Sequence, residues 1–107
     1  PPAIALEYAL TGERLDAPGA HQWGLVNRLT PAGGALEGAL ALAAKIAANG
    51  PLATVMTKRL VHEAPGWPAD EVWRIQDPLV ESVLASEDAK EGARAFSEKR
   101  QPVWKGR

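Results

Sequence analysis

Few side chains in this sequence have the types and spacing that chemistry requires. The two histidines, His21 and His62, lie far apart in the sequence without metal-ligand spacing, so surface or capping roles suit them better than catalysis. Adjacent carboxylates such as Glu87 and Asp88 point in divergent directions on a helix, and favourable charge at a helix start explains them better than an acid and base pair. Because the sequence has no cysteine, disulfides, thiolate metal sites and a cysteine nucleophile are excluded.

One pair of residues near the end of the chain could bind a ligand. Phe96 and Lys99 are three positions apart in a predicted helix, so we expect them to share a face. An aromatic ring beside an ammonium group can meet a purine ring and a phosphate together. The alternatives are packing for Phe96, the only phenylalanine, and a solvated helix-end cation for Lys99. The four tryptophans share no common spacing, which favours packing in a core or interface.

Length and composition indicate one domain's worth of polypeptide without a general polyanionic partner. The chain has 107 residues, of which 46% are hydrophobic, enough for a modest core if several helices pack together. Its 12 basic and 13 acidic residues give a net charge of -1, so we expect neither nucleic acid nor a membrane as a partner. No apolar run approaches the roughly 20 residues of a membrane helix. The sequence begins without methionine, and we expect a fragment or a trimmed product.

The elements of the first third are predicted from caps and turn residues. Residues 3–10 suit a short helix that Gly12 ends, and residues 17–23 suit one or two helical turns that Asp16 caps. Leu25 to Leu29 has the pattern of one short strand, which would need a sheet that this sequence does not supply.

Four helical segments are predicted for the remainder. Apolar residues recur at helical spacing over residues 36–47, and Pro51 begins a second helix after Asn49 and Gly50 have ended the first. A further apolar stripe covers residues 72–84, where Pro78 predicts a kink or break near Asp77.

The last predicted helix has the charge order that the helix dipole favours. Ser86 or Asp88 is its predicted cap, and acidic residues fill its first turn. Lys99 and Arg100 are expected in its last turn, where positive charge is stabilised.

Three stretches in order carry a resemblance to a known family. They are LTGERLDAPGAHQWGLVN at residues 10–27, IAANGPLATVMTK at residues 46–58 and SEDAKEGARAFSEKRQPVWKGR at residues 86–107. Together they resemble the carboxy-terminal part of an enoyl-CoA hydratase/isomerase, a member of the crotonase family. The positions that match are Gly12, Ala17, Ala20, Gly24, Leu25, Val26, Asp88, Glu91, Gly92, Ala95, Phe96, Glu98, Lys99 and Arg100. Gly19 and Pro78 depart from the family pattern outside these positions.

The resemblance implies a mostly α fold, the carboxy-terminal helical and oligomerisation region of a crotonase-like protein, over residues 1–107. The parent protein would be a cytoplasmic enzyme of fatty acid metabolism that hydrates 2-enoyl-CoA to 3-hydroxyacyl-CoA. Its substrate would contain coenzyme A, and no prosthetic group is implied. This segment would assemble a homotrimer or hexamer and cap the CoA site.

The resemblance also implies where the chemistry lies. Two backbone donors for the thioester oxygen and the acid/base carboxylates belong to an amino-terminal core that this sequence does not contain. No residue here inherits a catalytic role, and we expect this chain alone to be inactive. Phe96 and Lys99 match the residues that approach the CoA adenine and phosphates. Isomerases and other acyl-CoA enzymes share this tail, and a non-catalytic helical interaction or oligomerisation module is the rival from another class.

Overall fold

The computed structural model describes residues 1–107 as a helical chain without strands. Its elements are α1 (Pro2–Thr11), α2 (Ala17–Gln22), α3 (Ala35–Ala47), α4 (Pro51–Glu63), a 3₁₀ helix (Ala64–Gly66), α5 (Val72–Leu84) and α6 (Glu87–Ser97). The chain forms two compact units, Pro1–Ala43 and Ala44–Arg107. The prediction of a mostly helical chain is therefore confirmed.

The caps predicted for the first unit are present. Helix α1 ends at Gly12, whose left-handed backbone (φ 68°) places its N–H 3.1 Å from the Tyr8 carbonyl oxygen. Glycine suits this position because a side chain disfavours positive φ. Helix α2 begins at Asp16, whose Oδ1 accepts the Gly19 N–H at 2.8 Å. Both helices therefore form where local capping chemistry predicted them.

The predicted short strand at residues 25–29 is wrong. The N–H groups of Leu25 and Val26 both donate to the Ala20 carbonyl oxygen, at 2.8 and 3.3 Å, so this stretch folds back on the end of α2. A strand needs a partner for its backbone groups, and none is present in this chain. The carbonyl oxygen left free at the end of α2 captures those donors instead.

The junction between α3 and α4 follows the predicted stop and start. The Asn49 side-chain amide donates to the Lys45 carbonyl oxygen at 2.8 Å, which satisfies one of the free acceptors at the end of α3. Gly50 is the N-cap of α4 and Pro51 its first residue. Proline is tolerated there because the first N–H of a helix has no internal partner.

The prediction near Asp77 is a kink or a break, and there is no break, because helix α5 runs through Pro78 from Val72 to Leu84. Proline removes one helical hydrogen bond and crowds the carbonyl four residues earlier, which belongs to Arg74. Both Pro78 and Arg74 are exposed, so water can satisfy that carbonyl group. Helix α5 also packs against α4 and α6, which helps to hold it in one piece.

The chain leaves most of its apolar side chains uncovered. Only Ala95 and Asp88 are buried, at 1% and 4% exposure. The accessible surface is 8591 Å², compared with about 5,800 Å² expected for a folded monomer of 11.4 kDa. Leu10, Leu36 and Trp73 are among the large hydrophobic residues that face outward. None of the helices has, by itself, the length and apolar character needed to cross a membrane.

Candidate functional site

The candidate site is built around α6, where the charged residues of the second unit are concentrated. Ser86 begins this helix, since its Oγ accepts the Ala89 N–H at 3.0 Å. Of the two predicted caps, the structure therefore selects Ser86. Ala95 is the buried apolar residue of the helix, and it fixes which face turns inward. The opposite face and the end of the helix are left to carry solvent-exposed groups.

The two predicted ligand residues lie at the end of α6. Phe96 is in the last turn and is 88% exposed, so it does not pack into the core of this chain. Lys99 is exposed and lies beyond Ser97, the last helical residue. The structure thus brings both residues to the same end of one helix.

Phe96 and Lys99 do not share a helix face, so that prediction is wrong, because Lys99 lies beyond Ser97, the last residue of α6. Its φ is +52°, and the N–H groups of Lys99 and Arg100 donate to the Phe96 and Ala95 carbonyl oxygens at 3.2 and 3.0 Å. This pair of bonds is the Schellman arrangement that commonly ends helices. The predicted basic last turn is corrected in the same way, since Lys99 and Arg100 follow the helix.

Arg100 lies at the centre of an ion-pair cluster that ties α6 to the residues after it. Its Nη1 and Nη2 donate to the two carboxylate oxygens of Glu91 at 2.6 and 3.1 Å. Its Nε donates to Glu98 Oε2 at 2.5 Å. Glu91 Oε1 also accepts the Val103 N–H at 2.9 Å. These bonds, chiefly those from Arg100, lower the pKa of Glu91 to about 2, and Glu91 in turn raises the pKa of Arg100.

Asp88 holds the tail segment, which we define as residues 98–107, through backbone groups. Its two carboxylate oxygens accept the N–H groups of Lys105 and Gly106 at 2.7 and 2.9 Å. Its own N–H donates to the Arg107 carbonyl oxygen at 3.1 Å. The buried charge of Asp88 is therefore compensated by two charge-assisted hydrogen bonds.

Ion pairs and a tryptophan contact further fasten the same segment. The Lys105 ammonium donates to Glu87 Oε2 at 3.0 Å, and together with the Arg107 guanidinium it lowers the pKa of the Glu87 carboxyl. The Trp104 indole Nε1 donates to the Ala48 carbonyl oxygen at 2.9 Å. A Cβ added to Gly92 would lie 3.3 Å from this indole ring, so the ring packs closely on the backbone of α6.

Sequence reasoning missed this network of the tail segment. It assigned Glu87 and Asp88 to the helix dipole alone, whereas both side chains bind residues near the end of the chain. The available signal was the run of basic residues after α6, Arg100, Lys105 and Arg107, opposite the acids that begin it. That signal does not indicate which backbone N–H groups a carboxylate will accept.

The remaining candidates form no site. His21 and His62 are exposed, and no cluster of three or more histidine, aspartate or glutamate side chains could hold a metal ion. Of the other tryptophans, Trp73 is 68% exposed on α5 and Trp23 follows α2. The tryptophans therefore form no stacking surface on this chain, and Phe96 is the one aromatic residue retained as a candidate for stacking.

Comparison with known proteins identifies the family. The family model for enoyl-CoA hydratase/isomerase matches residues 1–107, so this chain belongs to the enoyl-CoA hydratase/isomerase family. The resemblance drawn from the three sequence stretches is thereby confirmed at the level of the family. The solved structures similar to this chain include enoyl-CoA hydratases.

Among the similar solved structures is an enoyl-CoA hydratase from Mycobacterium tuberculosis H37Rv, with 53% identity and a TM-score of 0.97 over 100% of this chain and 42% of that one. An enoyl-CoA hydratase from Mycobacterium marinum is 51% identical with a TM-score of 0.96 and the same two coverages. A carnitinyl-CoA dehydratase from Citrobacter koseri is 42% identical over 111 residues, covering 100% of this chain and 42% of that protein. The chain thus spans 42% of the length of these relatives.

Proposed function

We propose that this chain is the carboxy-terminal helical region of a 2-enoyl-CoA hydratase, an enzyme that adds water across the α,β double bond of an acyl-CoA to give 3-hydroxyacyl-CoA. The observation that carries the proposal is the match over the whole chain to enoyl-CoA hydratase structures at 53% and 51% identity. The substrate is an acyl thioester, so coenzyme A enters as part of the substrate. Residues 1–107 form one region of the enzyme.

The proposed role of this region is assembly rather than chemistry. An accessible surface about half again as large as expected indicates that its helices pack against further protein. The matched relatives are more than twice as long as this chain, so the remainder of the same polypeptide is one candidate for covering that surface. Additional copies of the protein are the second candidate, and we propose a homotrimer or a hexamer.

The proposed catalytic groups lie outside this region. Hydration needs an acid and a base next to the double bond and donors for the developing oxyanion. In this chain the strongly bound carboxylates, Asp88 and Glu91, are occupied by the tail segment and by Arg100. They are therefore not available to orient a water molecule.

The proposed substrate contact is the exposed pair at the end of α6. The Phe96 ring is open to a purine, and the Lys99 ammonium makes no hydrogen bond or ion pair within the chain. Such a pair fits the adenine and phosphate end of coenzyme A. Binding there would hold the thioester without taking part in the reaction.

Hydration of crotonyl-CoA by the full-length protein tests the reaction. We expect loss of the enoyl thioester absorbance together with formation of 3-hydroxybutyryl-CoA. A folded protein that binds coenzyme A but leaves crotonyl-CoA unchanged would remove the hydratase assignment. Conversion of 3-enoyl-CoA to 2-enoyl-CoA in the same assay would assign an isomerase instead.

A second acyl-CoA reaction is favoured by one observation. The carnitinyl-CoA dehydratase from Citrobacter koseri is 42% identical to this chain over its whole length. Carnitinyl-CoA therefore belongs in the same assay as a competing substrate. A larger kcat/KM for carnitinyl-CoA than for crotonyl-CoA would place the protein with that relative.

A non-catalytic interaction module is the candidate from another class, and the uncovered apolar surface is the observation that favours it. Light scattering of the isolated chain tests the assembly role, because exposed apolar faces make an unpartnered region self-associate. A monomer that persists at high concentration would contradict the assembly role. Absence of turnover of every enoyl-CoA tested by the folded full-length protein would favour the module.

A further inference from the structure

Lys99 stands in a backbone conformation that lysine does not favour. It is the only residue other than glycine with positive φ, at +52°. In the Schellman arrangement its position is the one that glycine usually fills, because a Cβ there is strained. A strained residue persists only where its surroundings hold it in place, and such positions often serve a function.

The residues on both sides of Lys99 belong to one ion-pair cluster. Glu98 precedes it and Arg100 follows it, and these two side chains bind each other at 2.5 Å. Glu91, two turns earlier in α6, binds the same guanidinium through both of its oxygens. The Lys99 peptide is therefore fixed at both ends, whereas its ammonium group is free.

We propose that Arg100, bound by Glu91 and Glu98, is a positioning residue that presents the Lys99 ammonium to the phosphates of coenzyme A. This inference rests on the proposed contact between Lys99 and coenzyme A and adds the residues that organise it. A fixed backbone at Lys99 leaves only the lysine side chain to be ordered when a phosphate binds. Less conformational entropy is then lost on binding, and affinity rises.

Arg100 itself is poorly placed to bind a phosphate. Four of the five N–H donors of its guanidinium are used, three by Glu91 and Glu98 and one by the Gln101 carbonyl oxygen. Two carboxylates also neutralise its charge. Its contribution to phosphate binding therefore passes through the backbone that it holds.

Calorimetric binding of coenzyme A to the full-length protein tests the proposal. Arg100→Lys keeps the charge but loses the two-pronged bond to Glu91, and we expect coenzyme A to bind about 3- to 10-fold more weakly. Glu91→Gln should weaken binding to a similar extent. Arg59→Lys is the matched control, because it makes the same exchange in the Arg59–Glu63 ion pair of α4, and it should change nothing.

A double-mutant cycle shows whether Arg100 acts through Lys99. Lys99→Ala alone should weaken coenzyme A binding, and adding Arg100→Lys should then weaken it no further. In steady-state turnover of crotonyl-CoA, Arg100→Lys should raise KM while kcat stays within about twofold, since only uniform binding is lost. If Arg100→Lys does not fold, Glu98→Gln, which removes one bond at the edge of the cluster, supplies the milder test.

The possible failures are distinguishable. Unchanged affinity in Lys99→Ala would overturn the proposed contact itself and the positioning role with it. A loss in Lys99→Ala without one in Arg100→Lys would overturn only the positioning role. Multiplied losses in the double variant would show that Arg100 acts independently of Lys99, which also overturns the proposal. Tighter binding in Glu91→Gln would show that a released Arg100 binds phosphate directly.

Discussion

Asp88 is the residue through which the tail segment can be tested most directly. The residue is 4% exposed, and its two carboxylate oxygens accept hydrogen bonds from the Lys105 and Gly106 N–H groups. Asp88→Asn replaces one of these oxygens by an NH₂ group of almost the same size. One backbone N–H then faces a donor instead of an acceptor, while the other keeps an uncharged acceptor.

The expected cost follows from these two bonds. A hydrogen bond to a charged group contributes about 1.5–3 kcal/mol, and one between neutral groups contributes about 0.5–1.5 kcal/mol. Losing one charged bond should cost about 1.5–3 kcal/mol, and weakening the other should cost about 1–1.5 kcal/mol more, so the total is about 2.5–4.5 kcal/mol. At about 1.4 kcal/mol for each factor of ten, detachment of the tail segment becomes about 60- to 1,600-fold more frequent.

Amide hydrogen exchange of the full-length protein, followed on peptides from the tail segment, measures this detachment. We expect the Lys105 and Gly106 amides to exchange about 60- to 1,600-fold faster in Asp88→Asn. Asp77→Asn is the control, because it makes the same replacement at an exposed carboxylate without a side-chain hydrogen bond and should leave the exchange unchanged. Equal exchange in Asp88→Asn and the native protein would refute the assignment of Asp88 as the main anchor.

Three further predictions follow from α6 and its surroundings. Because Arg100 lowers the pKa of Glu91 from an ordinary 4.5 to about 2, the stability that this pair contributes should be complete above pH 4.5 and lost between pH 4.5 and 2. Urea unfolding at a series of pH values should show this loss in the native protein, and Glu91→Gln should remove that part of the pH dependence. In a Trp104→Ala background, Gly92→Ala should stabilise the protein by about 0.5–1 kcal/mol, measured by thermal unfolding. With Trp104 present the same change should bring no such gain, because the added Cβ would lie 3.3 Å from the indole ring. Lys99→Gly should raise the melting temperature by relieving the positive φ, with a gain of about 1 kcal/mol, while it weakens coenzyme A binding in calorimetry.

The helix ends were predictable because local chemistry determines them. Asp16, Ser86 and Pro51 act through groups within four residues, so the sequence around each is sufficient to place the helix start. Gly12 was likewise predictable as the end of α1, because glycine readily adopts the positive φ, 68°, that this position requires. For the candidate site, the sequence located Phe96 and Lys99 at the end of the last helix but not the turn between them.

Two predictions failed, and the break allowed for at Pro78 did not form, because a competing interaction outweighed local preference. The β-forming pattern around Leu25 and Val26 had no strand to pair with, so the Ala20 carbonyl oxygen took their donors. Pro78 did not interrupt α5, since an exposed carbonyl can bind water and the helix packs on both neighbours. Lys99 left the helix because the Schellman bonds to Ala95 and Phe96 outweigh the strain of positive φ.

The attachment of the tail segment was beyond sequence reasoning for a different reason. Its bonds join residues far apart in the chain, such as the Trp104 indole and the Ala48 carbonyl oxygen. Acids at a helix start are common, and their charge alone is explained by the dipole. Only three-dimensional packing shows that Asp88 accepts particular N–H groups rather than water.

Attachment through peptide groups has a consequence for how this stretch of sequence can drift between species. The N–H groups of Val103 and Lys105 are what Glu91 and Asp88 recognise, and every amino acid except proline supplies that group. The side chain at position 103 can therefore be exchanged widely without detaching the chain, whereas Lys105 also pairs with Glu87 through its ammonium group. Related sequences should vary freely at position 103 while they retain both Glu91 and Asp88.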